Sequence, residues 1–375
     1  MPPTQQLRLQ KGLFMRYTTV IEYLNRYIAE HQLRSGDRLP TEKELADTLN
    51  VSRITVRRAY QELLYAGTIQ RVQGSGTFYP GKEKDVSHEG AYYVPLVLVG
   101  SQGYASIETI RGADQYLGRH NCYLSVRCSQ SDPEQERQTV MQLVDDGASC
   151  ILIFPCSSNE NADFYYDLIR KGIHLIFLDW LPKQISGNLV TCDNFSGGYL
   201  AAEHLIEAGC RRPYFISMDP LETASTLARR LDGFRFMLDE KQIDFPEDRI
   251  CCTEYQNIPA CLDRWMNLPQ APDSIFCAND TTALEVVRYL DRDGIPYPGK
   301  LALISFDDTP FATSTSVPLT EISQSFFQQG YEAARMAYHI LSGKKANVTQ
   351  MSLPVSLQVR KSTKTAAWLA AHPED

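Results

Sequence analysis

The sequence predicts an α/β protein in two unequal parts: a small α+β head with a winged helix–turn–helix, and a two-lobed body built on parallel, doubly wound sheets. Three observations carry this. Residues 10–80 hold two helix starts separated by a tight turn and followed by two short β segments. From residue 94 onward, short apolar runs recur every 20–30 residues with amphipathic stretches between them, the pattern of strands buried on both faces by helices. Between the two lies GKEKDVSHEG, polar, charged and flanked by glycine, which reads as a linker over 81–93.

The head reads in order. Residues 16–33 place Val20, Leu24, Tyr27 and Ile28 on one helical face, and Ser35-Gly36-Asp37 ends that helix. Thr41 with Glu44 three residues on is a capping box that starts the next helix. Asn50-Val51 turn the chain, Ser52 caps a third helix (RITVRRAYQELLYAG), and Gly67 stops it. TIQRV and GTFYP around QGSG form a two-stranded wing. The third helix opens with Ser52, Arg53, Thr55, Arg57 and Arg58. Arg53 and Arg57 are four apart and share a face. A basic helix face alone is usually a solvated surface. A tight turn before it and a wing after it make it a recognition helix, whose N-terminal residues meet base edges.

The body continues with apolar runs VPLVLVG, CYLSVRC, CILIFP, HLIFLDW, NLVTCD, RPYFISM, DSIFCAND and KLALISFDD. Helical stretches such as SIETIRGADQYLGRH, PEQERQTVMQLVDDG, GGYLAAEHLIEAG and TTALEVVRYLDRDG alternate with them. This length suits two lobes, the first over about 94–192 and 324–353, the second over about 193–323 and 354–362. Open α/β sheets bind ligands beyond the carboxyl ends of their strands. There the sequence offers Ser101, Asp179-Trp180, Asn279-Asp280 and Asp307-Asp308. A single Asp or Asn in such a turn is often a helix N-cap. Four strand ends carrying short polar groups, with Trp180, Tyr255 and Phe326 for stacking, indicate a polyol pocket.

Composition narrows the function classes. The chain has 375 residues, 43% hydrophobic and 22% charged, which excludes a disordered or low-complexity scaffold. No apolar run approaches the ~18 residues of a membrane helix, and the polar start MPPTQQLRLQKG is no signal peptide. The expectation is a cytoplasmic protein without a membrane partner. Residues 1–80 carry 11 Lys/Arg and 7 Asp/Glu, the remainder 26 and 38. A basic head on an acidic body suits nucleic acid at the head only. All ten cysteines lie at or after Cys122, with no C-x-x-C pair and no metal-like spacing to histidine. They read as buried small hydrophobes in a reducing compartment, and neither a metal nor a cofactor is expected.

Residues 16–79, through the string GDRLPTEKELADTLNVSRITVRRAYQELLYAGTIQRVQGSGTF, resemble the winged helix–turn–helix of the GntR family of bacterial transcription regulators. That resemblance implies DNA contacts from Lys43, Ser52, Arg53, Thr55 and Arg57, a wing turn at Gln73-Gly74 in the minor groove, and a phosphate contact from Arg16. The body, over about 94–362, resembles the effector domain of LacI/GalR repressors and periplasmic sugar-binding proteins of type I. FLDW, NFSGGYLAAEHLIEAGCRRPYFI, ARRLDGFRFML, APDSIFCANDTTALEVVRYLDRDGI, LISFDD and LTEISQSF carry it. It implies sugar contacts from Ser101, Asp179, Arg230, Tyr255, Asn279, Asp307, Gln324 and Phe326, with Asp307 gripping two hydroxyls. The LacI-type hinge helix is absent, replaced by the polar linker. A GntR-type head on a LacI-type body is similar to the arabinose repressors of low-GC Gram-positive bacteria. That implies L-arabinose as effector, a palindromic double-stranded operator, and a homodimer paired through helices near 106–119 and 326–342.

The rival classes are a sugar-metabolising enzyme and a sugar-binding protein without DNA. The sequence has no G-x-G-x-x-G, G-x-x-x-x-G-K-[ST] or G-x-S-x-G, and its seven histidines form no local ligand cluster. The expectation is a repressor and not an enzyme.

Overall fold

In the computed structural model the described residues are 19–371, without 22, 32, 35, 50, 66–67, 73–75, 80–91, 101–102, 157–158, 222–224 and 344–347. They divide into two units, 1–87 and 88–375.

The head has three helices and a wing: α1 (helical at 19–21 and 23–30), α2 (Glu42–Leu49), α3 (Arg53–Tyr65), β1 (Gln70–Val72) and β2 (Gly76–Phe78). The capping box forms as the spacing requires. The Thr41 N–H donates to Glu44 Oε2 at 2.7 Å, and the Glu44 N–H donates back to Thr41 Oγ1 at 3.3 Å. Those bonds hold the Glu44 carboxyl below its ordinary value. β1 and β2 pair antiparallel. The Leu39 N–H donates to the Thr77 carbonyl at 2.9 Å and the Tyr79 N–H to the Asp37 carbonyl at 2.8 Å. Segment 37–39 thereby lies along the wing through an antiparallel bridge at Arg38 and Phe78, which local periodicity does not reveal because three residues have none. Val20, Leu24, Leu45, Val56, Tyr60 and Ile69 meet in the head's core.

The body holds two six-stranded sheets. The first uses β3 (Tyr92–Leu98), β4 (Cys122–Cys128), β5 (Cys150–Ile153), β6 (His174–Leu178), β7 (Asn188–Cys192) and β13 (Gln350–Leu353). Their order is β13-β7-β6-β5-β3-β4, every pair parallel. The second uses β8 (Pro213–Ser217), β9 (Ile250–Cys252), β10 (Ser274–Cys277), β11 (Ala302–Asp307), β12 (Thr320–Ser323) and β14 (Ser356–Gln358). Their order is β14-β12-β11-β10-β8-β9, parallel except that β14 runs against β12. In both sheets the strand order reverses once, between β3 and β5 and between β8 and β10, which opens a crevice at the strands' carboxyl ends.

Helices cover both faces. In the first lobe α4 (Tyr104–Leu117) lies on one side, and α5 (Pro133–Asp145) and α6 (Ala162–Arg170) on the other. In the second lobe α7 (Asn194–Glu207) and α8 (Ser225–Glu240) lie on one side, and α9 (Ile258–Met266) and α10 (Asp280–Arg292) on the other. The chain crosses between the sheets after β7, after β12 and after β13. A short helix, α11 (Phe311–Ser314), follows β11, and α12 (Phe326–Leu341) returns to pack on α4. Ten of its 16 residues are buried. α12, expected with α4 at a pairing surface, is thus largely occupied inside its own lobe.

Each lobe contains one unusually close helix crossing. A Cβ on Gly112 of α4 would stand 1.9 Å from the Phe327 carbonyl oxygen, and one on Gly330 of α12 2.0 Å from that of Thr109. The second lobe repeats the device, with Gly198 of α7 1.8 Å from the Arg230 carbonyl and Gly233 of α8 1.9 Å from that of Phe195. Backbone meets backbone at both crossings, so no side chain fits.

Two boundaries differ from the sequence reading. Tyr92 and Tyr93 already pair with Cys122 and Tyr123. Beyond 362, α13 (Ala366–Ala371) packs on the second lobe, with Trp368 at 5% exposure against His204. None of the ten cysteines is in a disulfide, and Cys150, Cys192 and Cys277 are buried. No described helix is long and apolar enough to cross a membrane.

Candidate functional site

In the head, α2, α3 and the wing enclose a cleft of about 260 Å³. Arg38, Thr41, Lys43, Arg53, Arg57 and Thr77 are among its lining. The first turn of α3 has no acidic residue, so the partial positive charge of the helix start adds to four basic side chains. Arg57 is well exposed and its Nε lies 3.2 Å from Glu42. Ser52 caps α3: its hydroxyl accepts the Thr55 N–H at 3.1 Å and meets the Thr55 hydroxyl at 2.8 Å. Thr55 is only 5% exposed. Its side chain meets the Ser52 hydroxyl at the cap, where the gntR-family resemblance implies a DNA contact. An N-cap partner three residues on turns back toward the cap. Arg38 was not singled out from the sequence. It joins the cleft because segment 37–39 pairs with the wing, leaving its Nε 3.0 Å from where a Cβ on Gly76 would stand. Arg16, Gln73 and Gly74 lie outside the described residues.

In the body, both lobes line one cavity of about 570 Å³ at the strands' carboxyl ends. Asp179 follows β6, Asn279 follows β10, Asp307 ends β11, Gln324 follows β12 and Phe326 opens α12; Arg230 reaches in from α8. Arg230 is 3% exposed. Its Nε donates to Asn194 Oδ1 at 2.8 Å and its Nη1 to the Ala278 carbonyl at 2.6 Å. The guanidinium carbon stacks 3.6 Å above the Phe306 ring. Nη1 also lies 3.5 Å from Asp307 Oδ1, which accepts Gln324 Nε2 at 2.7 Å. Asp307 therefore caps no helix; its carboxylate faces the crevice. Asn279 does cap α10, accepting the Thr282 N–H at 2.9 Å, and lines the cavity as well.

Burial pushes the Asp179 carboxyl up to about 6; Arg230 opposes that shift and Asp307 reinforces it. Gln329 of α12 also acts to lower the Asp179 carboxyl, an influence invisible in the sequence because it lies 150 positions away. Trp180, Phe154 and Phe326 supply apolar walls, while Glu160 and Asp219 add carboxylates. Arg230 is the one basic side chain among the described lining residues, and its bonds are directed at protein groups. Such a cavity offers acceptors and ring faces to a neutral polyhydroxyl ligand. Tyr255 is placed elsewhere: it stands in a short turn after the edge strand β9, 58% exposed and outside the cavity lining. Ser101 lies outside the described residues. Among the described residues no cluster of His, Cys, Asp and Glu would hold a metal ion.

Comparison with known proteins bears on both parts. Residues 16–78 match the bacterial regulatory proteins of the gntR family, and residues 202–363 match a periplasmic binding protein-like domain. The arabinose metabolism transcriptional repressor of Geobacillus stearothermophilus is 26% identical over 366 residues, covering 93% of this chain and 98% of that one. That of Halalkalibacterium halodurans is 26% identical over 333 residues, covering 86% and 88%. Among solved structures, the regulator CcpA of Lactococcus lactis superposes with a TM-score of 0.67 at 19% identity, over 73% of this chain and all of that one. A LacI family regulator from Enterococcus faecium with bound ribose gives 0.62 at 22%, over 73% and 99%. The lac repressor dimer bound to operator gives 0.63 at 20%, over 73% and 94%. The basic cleft thus lies in a segment that matches the gntR-family regulators, and the two-lobed cavity lies in a body with a LacI-like α/β fold that matches a periplasmic binding protein-like domain over 202–363, the organisation of a DNA-binding transcription regulator.

Proposed function

We propose that this protein represses carbohydrate-utilisation genes and leaves its operator when the body binds a small sugar, with L-arabinose the first candidate. The observation that carries the reading is the meeting of Asp179 from one lobe with Arg230, Asn279 and Asp307 from the other on a single cavity. Asp179 and Asp307 accept sugar hydroxyls, Asn279 and Gln324 complete the hydrogen bonds, and Trp180 and Phe326 stack on C–H faces of the ring. Ser101 is a further sugar contact by resemblance. Two relatives are named for arabinose metabolism and one structural neighbour holds ribose, which favours a pentose.

At the head, Arg53 and Arg57 read bases, while Lys43, Arg38 and Arg16 hold phosphates and the turn at Gln73-Gly74 enters the minor groove. A single winged helix gives little affinity, and operator symmetry usually mirrors a protein dimer. The exposed apolar residues of α4, Tyr104 at 41% and Ile107 at 46%, suit pairing of two bodies. Sugar draws the lobes together, the paired bodies shift, and the linker passes that shift to the heads.

Thermal unfolding with a panel of pentoses and hexoses tests the ligand, since a molecule that binds the native state raises its stability. Fluorescence anisotropy on a duplex selected from a random pool, with and without L-arabinose, tests the response. L-arabinose should raise the melting temperature and weaken DNA binding. Stabilisation by no sugar, or DNA binding indifferent to the stabilising sugar, would end this reading.

A further inference from the structure

The Asp307 carboxylate sits on a backbone that needs holding. Asp307 has φ +103° and Asp308 φ +59°, two consecutive non-glycine residues in a region costly for side chains with a Cβ. Such a turn persists only where its surroundings over-determine it. Two buried carboxyls do so. Glu321 Oε2 accepts the Asp308 N–H at 2.7 Å, and Asp280 Oδ2 accepts the Thr309 N–H at 3.1 Å and the Thr309 hydroxyl. On the turn's other side Arg360 Nη2 donates to Asp308 Oδ1 at 2.5 Å while its Nη1 holds the Leu319 carbonyl.

Glu321 is the unexpected member. It sits on β12 opposite Ser305, between parallel β11 and antiparallel β14, and is 0% exposed. That position normally takes a valine or isoleucine. A carboxyl there is costly unless its polar atoms find partners. One oxygen finds the Asp308 amide. The other, Oε1, like Asp280 Oδ1, has no hydrogen-bond partner, and the two carboxyls lie close enough to interact. This proximity favours a proton, and burial followed by the nearby Asp280 charge raises the Glu321 carboxyl well above its ordinary value. The ionisable groups that face the pair are Cys277 from β10, Asp307 at the end of β11, and Asp308, whose own charge is met by Arg360; the Thr309 hydroxyl only donates to Asp280.

We infer that Glu321 is a positioning residue of the ligand cavity: with Asp280 it clamps the turn 307–309 and thereby sets the Asp307 carboxylate against Gln324 and Arg230. The inference rests on the sugar reading for its consequence, but the clamp itself is measurable without ligand. Full-length Glu321→Gln, Glu321→Leu and Asp280→Ala are compared by amide hydrogen exchange of the peptide spanning 303–312 and by L-arabinose titration calorimetry.

Glutamine keeps an acceptor for the Asp308 amide and a donor for Asp280, so both readouts should stay within about threefold of wild type. Leucine fills the same space without either group. It should speed exchange across the turn about tenfold or more and weaken L-arabinose to a similar degree, leaving the peptides of β5 and β6 and sugar-free DNA binding unaltered. Raising the pH from 7 to about 9 should weaken L-arabinose for wild type and not for Glu321→Gln, because ionised Glu321 repels Asp280 and opens the clamp. If Glu321→Leu does not fold, Asp280→Ala carries the exchange test, again with about a tenfold increase across the turn. Wild-type exchange in the leucine or alanine variant, or equal loss in the glutamine and leucine variants, overturns the inference. Altered exchange with no heat from L-arabinose in wild type refutes the sugar reading instead and leaves the clamp standing.

Discussion

Asp179 shows how one residue ties the cavity to pH. Its carboxyl is pushed up to about 6 from 3.8 by burial. The ionised form is the one that accepts sugar hydroxyls, so L-arabinose affinity should fall as pH drops from 7 towards 5, and Asp179→Asn should remove that slope. The ligand-free protein should respond the other way. A folded-state value above the unfolded one makes this group's contribution greatest below 3.8, and that contribution is lost as pH rises through about 6. The melting temperature of wild type relative to Asp179→Asn should therefore be higher at pH 5 than at pH 7, a difference that calorimetry in matched buffers reads directly. In the head, Arg53→Ala and Arg57→Ala should each cost about 1–3 kcal/mol on the selected operator, whereas Lys43→Ala and Arg38→Ala should weaken all duplexes evenly and lower the salt slope by about 1 each. The Arg57–Glu42 pair is exposed on its arginine side and adds little to stability, so Arg57→Ala should leave the head's unfolding unchanged. Operator affinity unaltered by both Arg53→Ala and Arg57→Ala would remove α3 from the recognition role.

Helix pairs set the stiffness of each lobe. At the α4–α12 and α7–α8 crossings a methyl group would stand about 2 Å from a backbone carbonyl, and backbone cannot yield as a side-chain end can. Gly112→Ala and Gly198→Ala should each destabilise the body by roughly 3 kcal/mol or more, an overpacking effect at the upper end of its range. Gly118, at the end of α4, is helical with φ −62° and has open space where its Cβ would go. Gly118→Ala should be neutral or add about 0.4–1 kcal/mol. Urea unfolding of the three variants separates the two environments, and equal effects would mean the crossings are looser than described. The Gly198 and Gly233 crossing also carries Arg230, whose carbonyl is the atom Gly198 approaches. A shift there moves the guanidinium beneath Asp307, so Gly198→Ala should weaken sugar binding along with stability.

For the whole molecule the consequence is linkage. If sugar lowers operator affinity by a coupling of roughly 1–3 kcal/mol, operator DNA must lower sugar affinity by the same factor. Calorimetric titration of L-arabinose with and without saturating operator measures that reciprocity. Asp307→Ala should abolish the sugar response while leaving DNA binding near wild type, since the cavity and the basic cleft lie in different units. Retained release by sugar in Asp307→Ala would remove Asp307 from the cavity's function. Sedimentation should show a dimer on operator; a monomer both free and bound would exclude pairing through the body.

Much of this architecture was determined by the sequence alone, because its causes are local. Thr41 and Glu44, or Ser52 and its helix, lie within one turn of chain. Continuous apolar runs between amphipathic stretches specify buried parallel strands without reference to anything distant. The strand-end residues Asp179, Asn279 and Asp307 follow from the same logic, since each sits where a strand stops. Tertiary structure decided what those residues meet. Asn194 reaches Arg230 across 36 positions, Gln329 acts on Asp179 across 150, and Glu321 meets the turn after β11 only because β12 lies beside it. Arg38 joins the cleft through pairing with a wing 40 residues on, and Tyr255 leaves the cavity because its strand is an edge. Propensity and capping act over three or four residues. Burial, hydrogen bonding and charge at the cavity depend on which strands become neighbours at the reversal of strand order, and only the assembled sheets set that.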